Sequence, residues 1–136
     1  MTKLRNFMRP GRSVAYATEY KVATSIASAI ALNVLRRGGN AVDAGIAACA
    51  ALSLCEPQQT GIGGDCFALV APAGGEVAAF NGSGRLPSRF EKSASEDPLT
   101  PLRRNDAAVV TIPGAIDAWC ALLERFGSLP IGEVLE

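Results

Sequence analysis

The sequence predicts an α+β chain built in layers, and three observations carry that reading. Apolar residues recur at helical spacing through 23–35 and then fill nearly every position of 44–54. Two short apolar runs flank Pro72 to Gly75, the pattern of a hairpin. A further helical stripe follows Pro113. With 136 residues, 49% of them hydrophobic and 19% charged, the chain can form one modest domain with a core.

Residues 1–12 are polar and form an amino-terminal arm ahead of the domain, 13–136. Ser13 to Thr18 (SVAYAT) alternates weakly and is expected to be a short strand. Ala23, Ile26, Ala27, Ile30, Ala31, Val34 and Leu35 then line one side of a helix. Arg36 and Arg37 suit the negative end of its dipole, and Gly38-Gly39 supplies the stop. Asn40 opens the next helix, where its side chain can accept a bond from the backbone N–H near Asp43. Asp43 falls in the first turn, where an acid is favoured. Capping is its simpler role, and a functional acid is the alternative. From Ala44 to Leu54 the helix is apolar nearly all round, so burial is expected.

Pro57 ends that helix, and Gln58 to Asp65 (QQTGIGGD) forms a glycine-rich turn into a strand over Cys66 to Ala71. Glu76 to Asn81 returns as its partner, followed by a second tight loop, Gly82 to Pro87. Residues 92–106 are charged and contain Pro98 and Pro101, which predicts an exposed connection. Ala107 to Ile112 reads as a strand. Pro113 suits the first turn of a helix with Ile116, Trp119, Cys120, Leu123 and Phe126 on one face, closed by Gly127. Pro130 starts a last helix that runs into Glu136.

Thirteen basic and thirteen acidic residues cancel, which argues against nucleic acid as the partner, since phosphate binding needs a basic surplus. Lys3, Arg5, Arg9 and Arg12 read as a solvated arm. No stretch reaches the roughly 18 apolar residues of a membrane span, and MTKLRNFMRPGRS lacks a signal-peptide core. A cytoplasmic protein is the expectation. Cys49, Cys55, Cys66 and Cys120 show no C-x-x-C spacing and the chain has no histidine, so no metal site is expected within it. Reduced structural thiols are expected, with Cys49 and Cys120 as small core residues.

No catalytic set is complete. There is no histidine base and no G-x-S-x-G elbow. Gly61-Ile62-Gly63-Gly64-Asp65 has glycines like those of a phosphate loop, but a dinucleotide fingerprint needs a strand before them and a helix after. Here the order is reversed, and the glycines read as a close helix-to-strand crossing.

The order of motifs says more. Arg37-Gly38-Gly39-Asn40-Ala41-Val42-Asp43-Ala44, Glu56-Pro57, Gly61-Ile62-Gly63-Gly64 with Phe67, Thr111-Ile112-Pro113-Gly114-Ala115 and Phe126-Gly127-Ser128-Leu129-Pro130 follow one another. From about Val14 to the last residue this series resembles the gamma-glutamyltranspeptidase family. The resemblance implies the amino-terminal part of a large subunit with the amino-terminal-nucleophile hydrolase fold, a four-layer αββα sandwich. It implies a proenzyme that cleaves itself, whose new amino-terminal threonine attacks a gamma-glutamyl amide of the glutathione type. The acyl group then passes to water or to an amine. Such a nucleophile uses its own amino group as base, so the absent histidine is no obstacle. The threonine belongs to the small subunit, the expected partner from the same precursor, so this chain alone should be inactive. No cofactor is implied, and an oligomer is compatible with the family.

The resemblance also directs attention to Asn81, Ser83 and Arg85 as substrate-binding candidates. Many members place a carboxylate-binding arginine four residues before the proline of an R-E-x-A-P segment. Counting back from Pro87 puts Ser83 there, with Arg85 two positions later. The Asn81-Gly82-Ser83-Gly84-Arg85 run is more similar to the acylase-like relatives, which leaves an acylase of another N-acyl amide, such as a cephalosporin-type substrate, as an alternative. A non-catalytic scaffold or binding fragment is the alternative from a different class.

Overall fold

The computed structural model describes residues 13–88 and 109–136, with side chains described from residue 23 onward. Helix α1 spans Ser13–Arg36 and α2 spans Ala41–Cys55. Strands β1 (Cys66–Val70) and β2 (Ala78–Gly82) follow, and then helices α3 (Ala115–Phe126) and α4 (Ile131–Val134). The α+β class is as expected.

The first element differs from the sequence reading: Ser13 to Thr18 is the opening of α1, not a strand. No glycine or proline interrupts the chain between Ser13 and Arg37, so helix propagates back from the strongly periodic part. Six residues of weak alternation were too short to tell strand from helix. At the other end α1 stops where expected. Gly38 has φ 96°, its N–H donates to the Leu35 carbonyl at 3.2 Å, and that of Gly39 donates to Val34 at 3.0 Å. This is a Schellman stop, which needs a residue at ease with positive φ.

Helix α2 starts with the expected cap, completed in both directions. The Asn40 side-chain oxygen accepts the N–H groups of Val42 and Asp43 at 2.8 and 3.2 Å. The Asn40 N–H donates back to Asp43 Oδ2 at 2.7 Å, a reciprocal capping box. Helices α1 and α2 pack against each other, with the alanines of α2 permitting close approach.

Strands β1 and β2 pair antiparallel, with Cys66 opposite Gly82 and Val70 opposite Ala78. The hairpin is as expected, but β2 starts two residues later than Glu76. Its turn is closed by the Gly75 N–H on the Pro72 carbonyl at 3.0 Å, with Gly74 at φ 72°. Cys66, Ala68, Val70 and Phe80 face the helices, while Phe67, Leu69 and Asn81 face away and are exposed. The core joins Val34 of α1, Ala44, Ile46 and Ala47 of α2, Trp119, Leu122 and Leu123 of α3 and Val134 of α4.

Three expectations about burial and strands are corrected. Helix α2 is covered on one side only: Ala44, Ile46, Ala47 and Ala51 are buried, while Cys49 and Leu54 are exposed. The stripe on α3 is rotated from the expected one. Ala115, Ala118, Trp119, Leu122 and Leu123 are buried, Phe126 is half-buried, and Ile116 and Cys120 face out. The alanines decide this, because their size lets α3 approach the hairpin: a Cβ on Gly82 would run into Ala118. Cys49 and Cys120 are therefore not core residues. Residues 109–112 form no strand; the rest of that expected strand, like the arm 1–12 and the connection 92–106, lies outside the described residues.

Candidate functional site

The three candidate residues lie at the end of β2 and in the loop that leaves it. Asn81, still on that strand, points away from the helices, and its Oδ1 accepts the Ser83 N–H at 3.0 Å. This local turn fixes the first half of the loop. Ser83 and Arg85 are exposed. The Arg85 carbonyl accepts the Ile112 N–H at 2.9 Å, while its guanidinium makes no ion pair or hydrogen bond among the described residues.

Two residue groups that the sequence reading assigned to packing or left out are brought to this loop. Asp65, at the end of the glycine-rich turn, accepts the Gly84 N–H at 2.8 Å and the Thr111 hydroxyl at 3.4 Å through Oδ1. The carbonyl of Gly64 accepts two N–H groups, from Gly114 at 3.0 Å and Ala115 at 2.9 Å. The glycine-rich turn, the Asn81–Pro87 loop and the entry to α3 thus form one junction. A Cβ on Gly84 would run into the Ile112 carbonyl, and one on Gly114 would lie 2.9 Å from the Gly84 nitrogen. The acid at the end of a glycine run was the available signal for Asp65, and only the fold shows what it faces.

A groove of about 350 Å3 runs between α2, β1 and α3, lined by Ala41, Ile46, Cys49, Cys66, Trp119 and Leu122 among others. It has no charged lining residue, so it cannot hold a carboxylate by charge. Although Cys49 is exposed as a whole, partial desolvation in the groove pushes its thiol above the ordinary range, and the nearby Cys66 adds to this. Burial also raises Cys66, opposed by a hydrogen bond from Trp119. Both thiols are protonated near neutrality, the opposite of an activated nucleophile. All four cysteines are free. Among the described residues no cluster of potential ligands could hold a metal ion, and no helix is long and apolar enough to cross a membrane.

The fold is that of the amino-terminal-nucleophile hydrolases, of which this chain forms a part. It superposes on cephalosporin acylase from Bacillus halodurans with a TM-score of 0.72 and 39% identity, covering 81% of this chain and 21% of that one. Gamma-glutamyltranspeptidase from Helicobacter pylori gives a TM-score of 0.70 at 29% identity, covering 80% of this chain and 32% of that one. Residues 27–136 match the family described as gamma-glutamyltranspeptidase, and the chain belongs to it. The glutathione hydrolase-like YwrD proenzyme of Bacillus subtilis is 38% identical over 113 residues, 82% of this chain and 21% of that protein. The chain thus spans about a fifth of the length of this relative.

Proposed function

We propose that the protein containing this chain is a self-processing amidohydrolase or acyltransferase that cleaves a gamma-glutamyl amide of the glutathione type. Residues 13–136 form part of its large subunit, and the small subunit, from the same precursor, brings the threonine nucleophile. Membership of the family supports this, as does the absence of any nucleophile–base pair among the described residues. The reading includes a small-molecule acyl donor and a cytoplasmic location. On a denaturing gel the purified full-length protein is expected to run as two chains that co-purify. A single uncut band with full amidase activity would overturn the mechanism.

The donor's carboxylate is assigned to Arg85. The observation that carries this is an exposed guanidinium with no ion pair or hydrogen bond among the described residues, on a loop whose backbone is held by three hydrogen bonds. A planar guanidinium can grip a carboxylate through two charge-assisted bonds, which the Ser83 hydroxyl cannot do. Arg85→Ala is expected to lower kcat/KM on gamma-glutamyl-p-nitroanilide by roughly 10- to 150-fold, the worth of about 1.5–3 kcal/mol for a bond to a charged group. An uncharged N-acyl donor should be nearly unaffected. Equal losses on both donors would make Arg85 structural, and no loss on either would remove it from the site.

A second reading, an acylase for another N-acyl amide, is favoured by Ser83 at the aligned arginine position and by the likeness to a cephalosporin acylase. Assay of the full-length protein on a panel of N-acyl amides beside the glutamyl donor separates the two. Higher kcat/KM on an uncharged acyl group would favour the acylase.

A further inference from the structure

Among the described residues, Asp65 is the one charged side chain in the bonds that join the glycine-rich turn, the Asn81–Pro87 loop and the entry to α3. Its Oδ1 takes the N–H of Gly84, the residue immediately before Arg85. The loop's first half is fixed by Asn81 on Ser83, and its far side by the Ile112 N–H on the Arg85 carbonyl. Between these two ties lies Gly84, packed so closely against Ile112 that a Cβ would run into the Ile112 carbonyl. The bond to Asp65 gives the Gly84 N–H a fixed acceptor, and a carboxylate acceptor makes that bond stronger than a neutral one would.

We propose that Asp65 is a positioning residue of the acyl-donor site. By holding the Gly84 N–H it sets the direction in which the loop presents Arg85 to the donor's carboxylate. The proposal rests on the reading that this loop lines the donor pocket. Asp65 touches no reacting atom in this role. It acts by keeping the Arg85 backbone in one orientation, so that the guanidinium is ordered before the donor arrives. An effect through Arg85 should therefore appear in KM for a charged donor and leave kcat alone.

The test uses the processed full-length protein with Asp65→Ala and Asp65→Asn, both checked for self-cleavage and solubility. Amide exchange of the peptide spanning residues 81–87 reports the Gly84 bond directly. Asp65→Ala is expected to speed that exchange and to raise KM for gamma-glutamyl-p-nitroanilide by about three- to tenfold, the worth of one hydrogen bond. Its kcat should stay within about twofold, with KM for an uncharged N-acyl donor unchanged. Asp65→Asn keeps an acceptor oxygen and should fall between wild type and Asp65→Ala on both measures. Unchanged exchange would overturn the clamp whatever the kinetics do. Faster exchange with equal KM changes on both donors, or with none, would overturn the positioning role. If Arg85→Ala affects neither donor, the pocket reading fails and this proposal with it; unchanged exchange removes the proposal alone.

Discussion

Asp43→Ala is expected to destabilise the full-length protein by about 3–5 kcal/mol, a large share of a typical 5–15 kcal/mol. Asp43 has 0% exposure. Its carboxylate accepts the Asn40 N–H at 2.7 Å and the Ser128 N–H at 3.1 Å from each oxygen, with the Leu129 N–H at 3.5 Å. Alanine would leave the Asn40 and Ser128 donors without their partner in a place that water reaches poorly. Each bond to a charged group is worth about 1.5–3 kcal/mol, and the capping box is lost as well. Asn40 reinforces the same contact, donating through Nδ2 to the Phe126 carbonyl at 2.6 Å and the Ser128 hydroxyl at 2.9 Å. A carboxamide at 43 would keep one acceptor but turn an NH2 toward donors, so Asp43→Asn should lose about half as much. Urea unfolding followed by circular dichroism measures both. A loss below about 1 kcal/mol for Asp43→Ala would show that these N–H groups find other partners.

Gly84→Ala should be the most damaging small change at the loop. Its Cβ would meet the Ile112 backbone carbonyl and lie 2.8 Å from the Thr111 hydroxyl oxygen. A carbonyl in a tied segment cannot swing aside as a side-chain tip can. The loop and the entry to α3 would have to part, which would break the Ile112 N–H bond to Arg85 and the Gly84 bond to Asp65. Overpacking of this kind costs about 1–3 kcal/mol, and the loss of two loop ties adds to it. Donor binding should suffer with stability, because the displaced segment carries Arg85. Gly61→Ala is the control, since a Cβ there meets nothing within 4 Å. Thermal melts and kcat/KM on the glutamyl donor for both variants decide the matter. A Gly84→Ala enzyme as stable and active as Gly61→Ala would mean that the loop is not held against Ile112.

The motif series is explained by where its members meet. Gly39-Asn40-Ala41-Val42-Asp43 and Phe126-Gly127-Ser128-Leu129 form one junction, since Asn40 and Asp43 bond directly to the turn after α3. Gly127 is the close approach there, because a Cβ would lie 2.8 Å from Asp43 Oδ1. Gly61-Ile62-Gly63-Gly64-Asp65, Asn81-Gly82-Ser83-Gly84-Arg85 and Thr111-Ile112-Pro113-Gly114-Ala115 form the other. Motifs far apart in sequence thus meet in space.

Local chemistry by itself determined the α+β class, the Gly38-Gly39 stop, the Asn40–Asp43 cap and the hairpin turn at Pro72 to Gly75. Each depends on atoms within a few residues of one another, so sequence order carries all the information needed. The tertiary structure alone decided that α3 turns Ala115 and Ala118 inward in place of Ile116 and Cys120. It also decided that α2 is covered on one flank and that Asp65 holds Gly84. These outcomes depend on which surface arrives opposite a residue. For alanine, glycine and a short acid that surface sets burial and bonding, because such side chains have too little apolar area or reach to set it themselves.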